Sequence, residues 1–140
     1  MAKAQYAILR FSKYKGPEIG RIETHDERTK EKYASNPDVD TSRSALNFHL
    51  IQPEHSYREE AERQIAEAGC RVRSDSVKLV EVLIAGTPSF FKDKTQDAIK
   101  EYFEHALEFL RQKQRAETFV SAVGHLDEKT PHMHVAFVPL

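Results

Sequence analysis

The chain has 140 residues, of which 31% are charged, and its formal net charge is −1. This length allows one domain with a buried core, and the absence of any long apolar stretch excludes a membrane-spanning helix. The single cysteine, Cys70, excludes an internal disulfide framework and, with no signal peptide at the N-terminus, indicates a cytoplasmic protein.

The charge is distributed unevenly along the chain. Residues 1–15 contain four basic side chains and no acidic one: Lys3, Arg10, Lys13 and Lys15. Residues 111–115 form a second basic cluster, whereas many of the acids follow residue 56. A nearly neutral chain with this distribution can still present a basic face to nucleic acid.

The first third of the chain combines a strand pattern with a polar segment. Residues 4–11 predict a strand, and residues 13–20, with their Gly-Pro pair, predict a loop. Residues 21–33 are polar throughout and predict a short, solvated helix, on which His25 and Arg28 would share a face.

The middle of the chain predicts a strand, a helix and a second strand. Residues 44–51 alternate in the manner of a strand, and a capping box at Ser56 predicts a helix that ends at about Ala68. Residues 77–86 are the most apolar stretch and predict a central strand. Three histidines outside the C-terminal stretch are predicted to be exposed on the surface: His49, His55 and His105.

The last third predicts a long helix followed by two strands. Thr95 caps the helix over Gln96–Gln114, whose apolar residues recur at helical spacing: Ile99, Phe103, Ala106, Leu107 and Leu110. Residues 118–124 and 132–138 predict strands that a turn joins into a hairpin.

This order of elements predicts an α+β fold. We expect a mostly antiparallel sheet of about five strands, with the two main helices packed on one face and the other face free for a ligand. Residues 1–140 should form a single domain, which we expect to be the N-terminal part of a longer protein.

The C-terminal hairpin brings three histidines together. His132 and His134 share one face of a strand, about 7 Å apart at the backbone. The turn would place His125 beside them, giving three neutral nitrogen ligands with open coordination positions, which is a metal site of the catalytic type. Two polar side chains on a strand are the simpler interpretation, but His125 and Glu128 at hairpin spacing favour the metal site.

Three motifs resemble those of plasmid mobilisation relaxases of the MobV (Mob/Pre) type, which belong to the HUH endonucleases. The stretch from His125 to His134 resembles their third motif, residues 36–47 resemble the second, and His25-Asp-Glu-Arg28 resembles the first. The resemblance spans residues 25–138 and implies an HUH-type antiparallel sheet with helices behind it.

The resemblance implies an enzyme of plasmid mobilisation, conjugation and recombination. Such an enzyme nicks one strand of plasmid DNA at an origin of transfer and stays covalently joined to the new 5′ end. Its partner would be single-stranded or supercoiled plasmid DNA. His125, His132 and His134 would hold a divalent metal, for which Mn²⁺ suits three nitrogen ligands better than Mg²⁺.

The resemblance also implies catalytic roles. The family often has a tyrosine in the second-motif strand, but this chain has Phe48 there, which leaves His25 as the expected nucleophile and Tyr33 as the open alternative. Glu128 would orient His25 or accept its proton, and Arg28 would bind a phosphate. Further DNA contacts are expected from basic and polar residues of the first third: Arg43, Asn47, Lys13 and Lys15.

Two other functions remain compatible with these residues. One is a DNA-binding protein without strand-transfer activity, such as a repressor of a plasmid site. The other is a small metallohydrolase that acts on another phosphoester. The presence of His25 and Glu128 beside three metal-type histidines favours nicking over binding alone.

Overall fold

The computed structural model describes residues 7–27, 46–73, 75–86, 88–127 and 130–140. These residues form five strands and four α-helices, with a 3₁₀ turn at Ala116–Thr118. The strands are β1 (Ala7–Lys15), β2 (Phe48–Ile51), β3 (Val77–Gly86), β4 (Phe119–His125) and β5 (His132–Phe137). The helices are α1 (Gly16–Asp26), α2 (Tyr57–Ala68), α3 (Pro88–Phe91) and α4 (Gln96–Lys113).

The strands form one sheet in the order β1-β3-β5-β4-β2. Every neighbouring pair is antiparallel, so the predicted α+β fold with a five-stranded antiparallel sheet is confirmed. Strand β5, rather than β3, lies in the middle, and β3 lies between β1 and β5. The middle position explains why all six residues of β5 are buried.

One face of the sheet packs against α4 and forms the larger apolar core. Strand β5 contributes Met133, Val135 and Phe137, and β3 contributes Val80, Val82 and Ile84. The buried stripe of α4 that packs onto them is Ile99, Phe103, Leu107 and Leu110, as the helical spacing predicted. We call this side of the sheet the α4 face.

The opposite face packs against α1 and α2. Leu79, Val120, Ala136 and Val138 of the sheet region cluster with Ile19 of α1 and with three α2 residues: Tyr57, Ala61 and Ile65. The helices therefore lie on both faces, which differs from the expected packing of both main helices on one side. Because the inner strands carry apolar side chains on both faces, each face needs a helical cover.

Helix α1 replaces the predicted loop and solvated helix. Strand β1 continues to Lys15, and α1 begins directly at Gly16. Pro17 lies in the first turn, and the Glu18 carboxylate accepts a hydrogen bond from the Lys15 N–H at 3.1 Å. The Gly-Pro pair is thus a helix start rather than a loop, and the helix is not solvated, since Ile19 is fully buried.

The predicted caps of the other helices are present. Ser56 accepts a hydrogen bond from the Glu59 N–H at the start of α2, and Gly69 ends that helix with a φ of 70°. Thr95 accepts one from the Ala98 N–H at the start of α4. Within the described ranges, every helix is too short or too polar to cross a membrane.

Candidate active site

The β4–β5 hairpin places three histidines on the face opposite α4. His125 stands directly across from His132, and the next residue on that face of β5 is His134. Ring centroids lie 5.2 Å apart for His125 and His132, 4.8 Å for His125 and His134, and 5.0 Å for His132 and His134. We refer to His125, His132 and His134 as the sheet histidines and to their side of the sheet as the histidine face.

Helix α1 brings a fourth histidine to this cluster. His25 lies in the last turn of α1, and its ring centroid is 6.0 Å from that of His125 and 5.5 Å from that of His134. The helix end is attached to the hairpin because the His125 Nε2–H donates to the backbone carbonyl of Asp26 at 2.7 Å. A residue from a polar, distant segment thus meets the sheet histidines, as the resemblance implied.

Each sheet histidine has one ring nitrogen on a hydrogen-bond acceptor. These bonds are His134 Nδ1 to the Glu81 carboxylate, His132 Nδ1 to the Thr130 carbonyl at 2.9 Å, and His125 Nε2 to the Asp26 carbonyl at 2.7 Å. A neutral imidazole has one N–H, and the acceptor assigns it to that nitrogen. The other nitrogen of each ring then carries a lone pair, which is the form that binds a metal.

The lone-pair nitrogens face one another inside the cluster. His125 Nδ1 and His132 Nε2 lie 3.3 Å apart, a distance at which two lone pairs repel unless a cation or a proton lies between them. His134 Nε2 is buried with no hydrogen-bond partner among the described atoms. Nitrogens of His25, His125 and His134 lie within 4.8 Å of one another. Ring nitrogens from this group of four histidines therefore suit the binding of one divalent metal ion.

Two buried carboxylates lie behind His134. Glu81 and Asp26 are 7% and 1% exposed, and Asp26 Oδ1 is 3.4 Å from His134 Nδ1. Burial raises the pKa of Glu81, but the hydrogen bond from His134 outweighs it and holds that pKa below its ordinary value. Negative charge behind an imidazole orients the ring and strengthens it as a ligand.

Glu81 is a site residue that the sequence analysis missed. It interrupts the most apolar strand, between Val80 and Val82, and a carboxylate is almost never buried without a partner. A glutamate inside the most apolar strand was therefore the feature of the sequence that could have identified this residue. The identity of the partner, His134, depends on the pairing of β3 with β5, which the sequence does not contain.

A second polar cluster holds the end of α1 just after His25. Glu27 accepts hydrogen bonds from Tyr57 Oη at 2.6 Å and from His49 Nε2 at 2.7 Å. Burial raises the pKa of Glu27, yet these two hydrogen bonds outweigh it and hold the pKa below its ordinary value. Glu23 also accepts the Tyr57 N–H at 2.8 Å. We call this the Glu27 cluster.

His49 corrects the sequence prediction. It was expected to be exposed, but its side chain is only 26% exposed and is paired with Glu27. The polar side of the short strand β2 faces α1, because α1 covers the histidine face rather than leaving it open. His55 and His105 are exposed, as predicted.

The predicted DNA contacts fall in different places. Lys13 is in strand β1, opposite Val80, and therefore points to the α4 face, away from the histidines. Lys15 is exposed at the start of α1. The side-chain Oδ1 of Asn47 accepts a hydrogen bond from the Leu126 N–H at 2.7 Å, and this bond attaches the start of β2 to the end of β4.

The expected groove position of Lys13 is not supported, because the predicted loop is a strand whose alternation turns Lys13 to the other side. The remaining predicted site residues lie outside the described residues: Arg28, Arg43 and Glu128. Tyr33, the alternative nucleophile, lies outside them as well.

Comparison with known sequences gives a consistent family match. The profile of the plasmid recombination enzymes, Mob_Pre, matches residues 3–140. Plasmid recombination enzyme type 3 of Staphylococcus aureus is 35% identical over 140 residues, which cover 96% of this chain and 34% of the relative. The plasmid recombination enzyme of Lactiplantibacillus plantarum is 36% identical over 138 residues, covering 96% of this chain and 38% of the relative.

Comparison with solved structures identifies a similar fold. The MobM relaxase domain, in a Mn-bound crystal structure at pH 6.8 with plasmid pMV158 oriT DNA, superposes with a TM-score of 0.90 and 30% identity. The match covers 96% of this chain and 71% of that domain. A second Mn-bound MobM structure, at pH 5.5, gives a TM-score of 0.88 and 29% identity with the same coverage.

The five-stranded antiparallel sheet and its helices have the fold of the MobM relaxase domain. The chain belongs to the family of plasmid recombination enzymes (Mob/Pre). It spans about a third of the length of the curated relatives it matches.

Proposed function

We propose that this chain carries the DNA-nicking site of a plasmid mobilisation relaxase. In this proposal it cleaves one strand of plasmid DNA at an origin of transfer by transesterification and retains the 5′ end covalently on His25. The observation that carries the proposal is the position of His25, whose ring lies 5.5 Å and 6.0 Å from those of His134 and His125. A nucleophile must lie beside the group that holds the scissile phosphate.

The sheet histidines are the proposed metal ligands. Their lone-pair nitrogens are defined by bonds to Glu81, Thr130 and Asp26 on the other side of each ring, which is the usual arrangement behind metal-binding histidines. The metal in the MobM structures is Mn, and nitrogen ligands suit Mn²⁺ better than Mg²⁺. A bound divalent cation would neutralise phosphate charge and orient the phosphorus for in-line attack.

His25 is assigned to attack because it comes from a different element. The sheet histidines lie on the rigid hairpin, whereas His25 lies in the last turn of α1, and the Glu27 cluster fixes the residue that ends this helix. A neutral ring nitrogen of His25 is a competent nucleophile for phosphorus.

The proposed reaction is balanced as follows. The lone pair of a His25 ring nitrogen forms a P–N bond as the P–O3′ bond breaks. The 3′ oxygen leaves with the electron pair and takes a proton from water, and the hydroxide left behind takes up the proton that His25 passes to the carboxylate. The other ring nitrogen of His25 gives its proton to a carboxylate, for which Glu128 is the proposed acceptor. The products are a free 3′ hydroxyl and a phosphoramidate that joins the 5′ end to His25.

Paired end labels on single-stranded DNA test this function. Oligonucleotides tiled across transfer origins, with the pMV158 strand as the first probe, are incubated with the chain and Mn²⁺ or with a chelator. We expect a 3′ label to move into the protein band and a 5′ label to appear in a shorter free strand, only when metal is present. If neither label is redistributed on any origin strand, the proposal is wrong.

The same gel separates the other two functions. A DNA-binding protein without strand-transfer activity would shift the strands on a native gel and leave both labels at full length on a denaturing gel. A metallohydrolase would release shorter strands with no label in the protein band, or would leave DNA uncut while cleaving another phosphoester.

A further inference from the structure

Part of the histidine face is not covered by any described helix. Helices α1 and α2 pack over Leu79, Ala136 and Val138. Toward the other end of β1 and β3, the residues on this face are exposed or half-buried: Ile8, Arg10, Leu83 and Ala85. This open area is continuous with the sheet histidines.

The strand register places Arg10 in line with the site. Arg10 pairs with Leu83, Leu83 pairs with His134, and cross-strand partners share a face. Tyr14, which has the same alternation as Arg10, packs into the cluster under α1 and α2. Arg10 therefore points to the histidine face, two strands from His134, or about 10 Å at the backbone.

The charge of Arg10 has no counterpart in the described part of the chain. It is exposed and makes no ion pair with any described residue. Leu83, between Arg10 and His134, is uncharged. The two acids beside His134, Glu81 of β3 and Asp26 of α1, are buried and directed at His134. The guanidinium is thus available to an anion from outside.

We infer that Arg10 binds a backbone phosphate of the single strand beside the scissile one. This rests on the proposed nicking function and assigns to Arg10 the place that the sequence had suggested for Lys13. A second phosphate held two strands away from the sheet histidines fixes the direction of the DNA across the sheet. An arginine fork suits this task because its paired donors match two phosphate oxygens.

Lys13 provides a matched control. It lies on the same strand, is also exposed, and carries the same charge, but it faces the α4 side. Binding is measured by fluorescence anisotropy on the strand that the wild-type chain nicks, with His25→Ala as the background so that the DNA stays intact. Each variant is titrated at several KCl concentrations.

We expect Arg10→Gln to lower the affinity roughly tenfold, as for one lost charge-assisted hydrogen bond. The slope of log K against log[KCl] should become shallower by about 0.7, the value for one single-strand phosphate. Arg10→Lys should keep the slope, and Lys13→Gln should change neither quantity.

The inference is overturned if Arg10→Gln retains the wild-type affinity and slope. It is also overturned if Lys13→Gln loses as much affinity as Arg10→Gln, because the loss would then follow from the overall charge of the chain rather than from a contact made by Arg10. Failure of the proposed function is a separate result. In that case the wild-type chain forms no adduct with any strand, whatever residue stands at position 10.

Discussion

The two faces of strand β5 show how six residues serve two purposes. Met133, Val135 and Phe137 pack against α4 in an apolar core. His132 and His134, which alternate with them, join His125 and His25 on the other side. The α4 face has tilted and edge-on aromatic contacts, such as Phe91 with Phe103 at 6.0 Å, whereas the histidine face has buried charge.

The difference between the α4 face and the histidine face shows which contacts make the site rigid. A strand in the middle of a sheet is held by neighbours on both sides, and here its apolar side is also held by α4. Residues that take no part in the chemistry therefore fix the backbone that carries the histidines. The two faces should therefore respond to substitution in different ways.

The largest effect is expected from His25, the residue that α1 adds to the histidine face. His25→Ala should abolish the covalent DNA adduct while leaving Mn²⁺ affinity, measured by calorimetry, within a few-fold of wild type. A phosphoramidate is labile in acid, so the wild-type adduct should disappear after mild acid treatment. Tyr33→Phe should leave both the adduct and its acid lability unchanged.

An acid-stable adduct that persists in His25→Ala would exclude histidine catalysis and direct the search to the tyrosines. Tyr33 would then be substituted first, since it was the alternative at the level of the sequence. Tyr14 would follow, because it lies on the histidine face beside α1.

The second test compares neighbours on opposite faces of β5. His134→Ala should reduce Mn²⁺ affinity by at least about a hundredfold and prevent adduct formation, since it removes a proposed ligand. Met133→Ala should leave metal affinity unchanged and lower the free energy of unfolding by about 2–5 kcal/mol, because Met133 is fully buried. Calorimetry and chemical denaturation of both variants measure the two effects.

The proposed division between the faces would not hold if Met133→Ala lost metal affinity while remaining folded. It would also not hold if His134→Ala bound Mn²⁺ as the wild type does. The second result would exclude both groups of described residues that could hold a metal ion, because His134 belongs to each of them.

The third test concerns Gly124, which lies between two residues that face the histidines. A Cβ on Gly124 would come within 2.7 Å of ring atoms of Phe48, on the α4 face. The Phe48 ring packs beside that of Phe103, with centroids 6.3 Å apart. Displacing the Phe48 ring would therefore weaken its packing against Phe103. We expect Gly124→Ala to destabilise the fold by about 1–3 kcal/mol, as measured by denaturation.

Gly20 supplies the control. It lies in α1, and a Cβ there would meet no atom within 4 Å. Gly20→Ala should stabilise the fold by about 0.5–1 kcal/mol through helix propensity. In a double-mutant cycle, Phe48→Ala should remove most of the penalty of Gly124→Ala. An additive cycle would show that Phe48 is not the source of the strain.

The elements that the sequence predicted well are those with a local cause. Period-two alternation and a turn are sufficient to predict the β4–β5 hairpin and thus the meeting of His125 with His132. The helix caps at Ser56, Gly69 and Thr95 depend only on partners a few positions away along the chain. For such features the sequence contains all the physical information that is needed.

The errors at Lys13, Glu81 and His49 have a non-local cause. The place of Lys13 depends on how far β1 extends, and that follows from pairing with β3. The roles of Glu81 and His49 depend on partners 53 and 22 residues away. A carboxylate in an apolar strand indicates that a partner exists, but only the assembled sheet shows which residue that partner is.

The fourth test compares the hydroxyl of Tyr57 with that of Tyr102 on the other face. Tyr57 Oη donates to the Glu27 carboxylate at 2.6 Å, whereas Tyr102 Oη donates to the neutral Ala85 carbonyl at 3.4 Å. Tyr57→Phe should lower the free energy of unfolding at pH 7 by about 2 kcal/mol, as for a hydrogen bond to a charged group. Tyr102→Phe should cost on the order of 0.5 kcal/mol.

The pH dependence distinguishes the two hydroxyls. Because the pKa of Glu27 is held below the ordinary value of 4.5 in the folded state, its stabilisation is fully present above about pH 4.5 and is lost as the pH falls through the lower folded pKa. The difference between wild type and Tyr57→Phe should therefore be constant near neutrality and shrink in acid. The smaller Tyr102 difference should not vary, since a carbonyl does not titrate in this range. Urea denaturation from pH 7 to pH 3 measures both, and a Tyr57 difference that does not change with pH would show that the carboxylate is not its source.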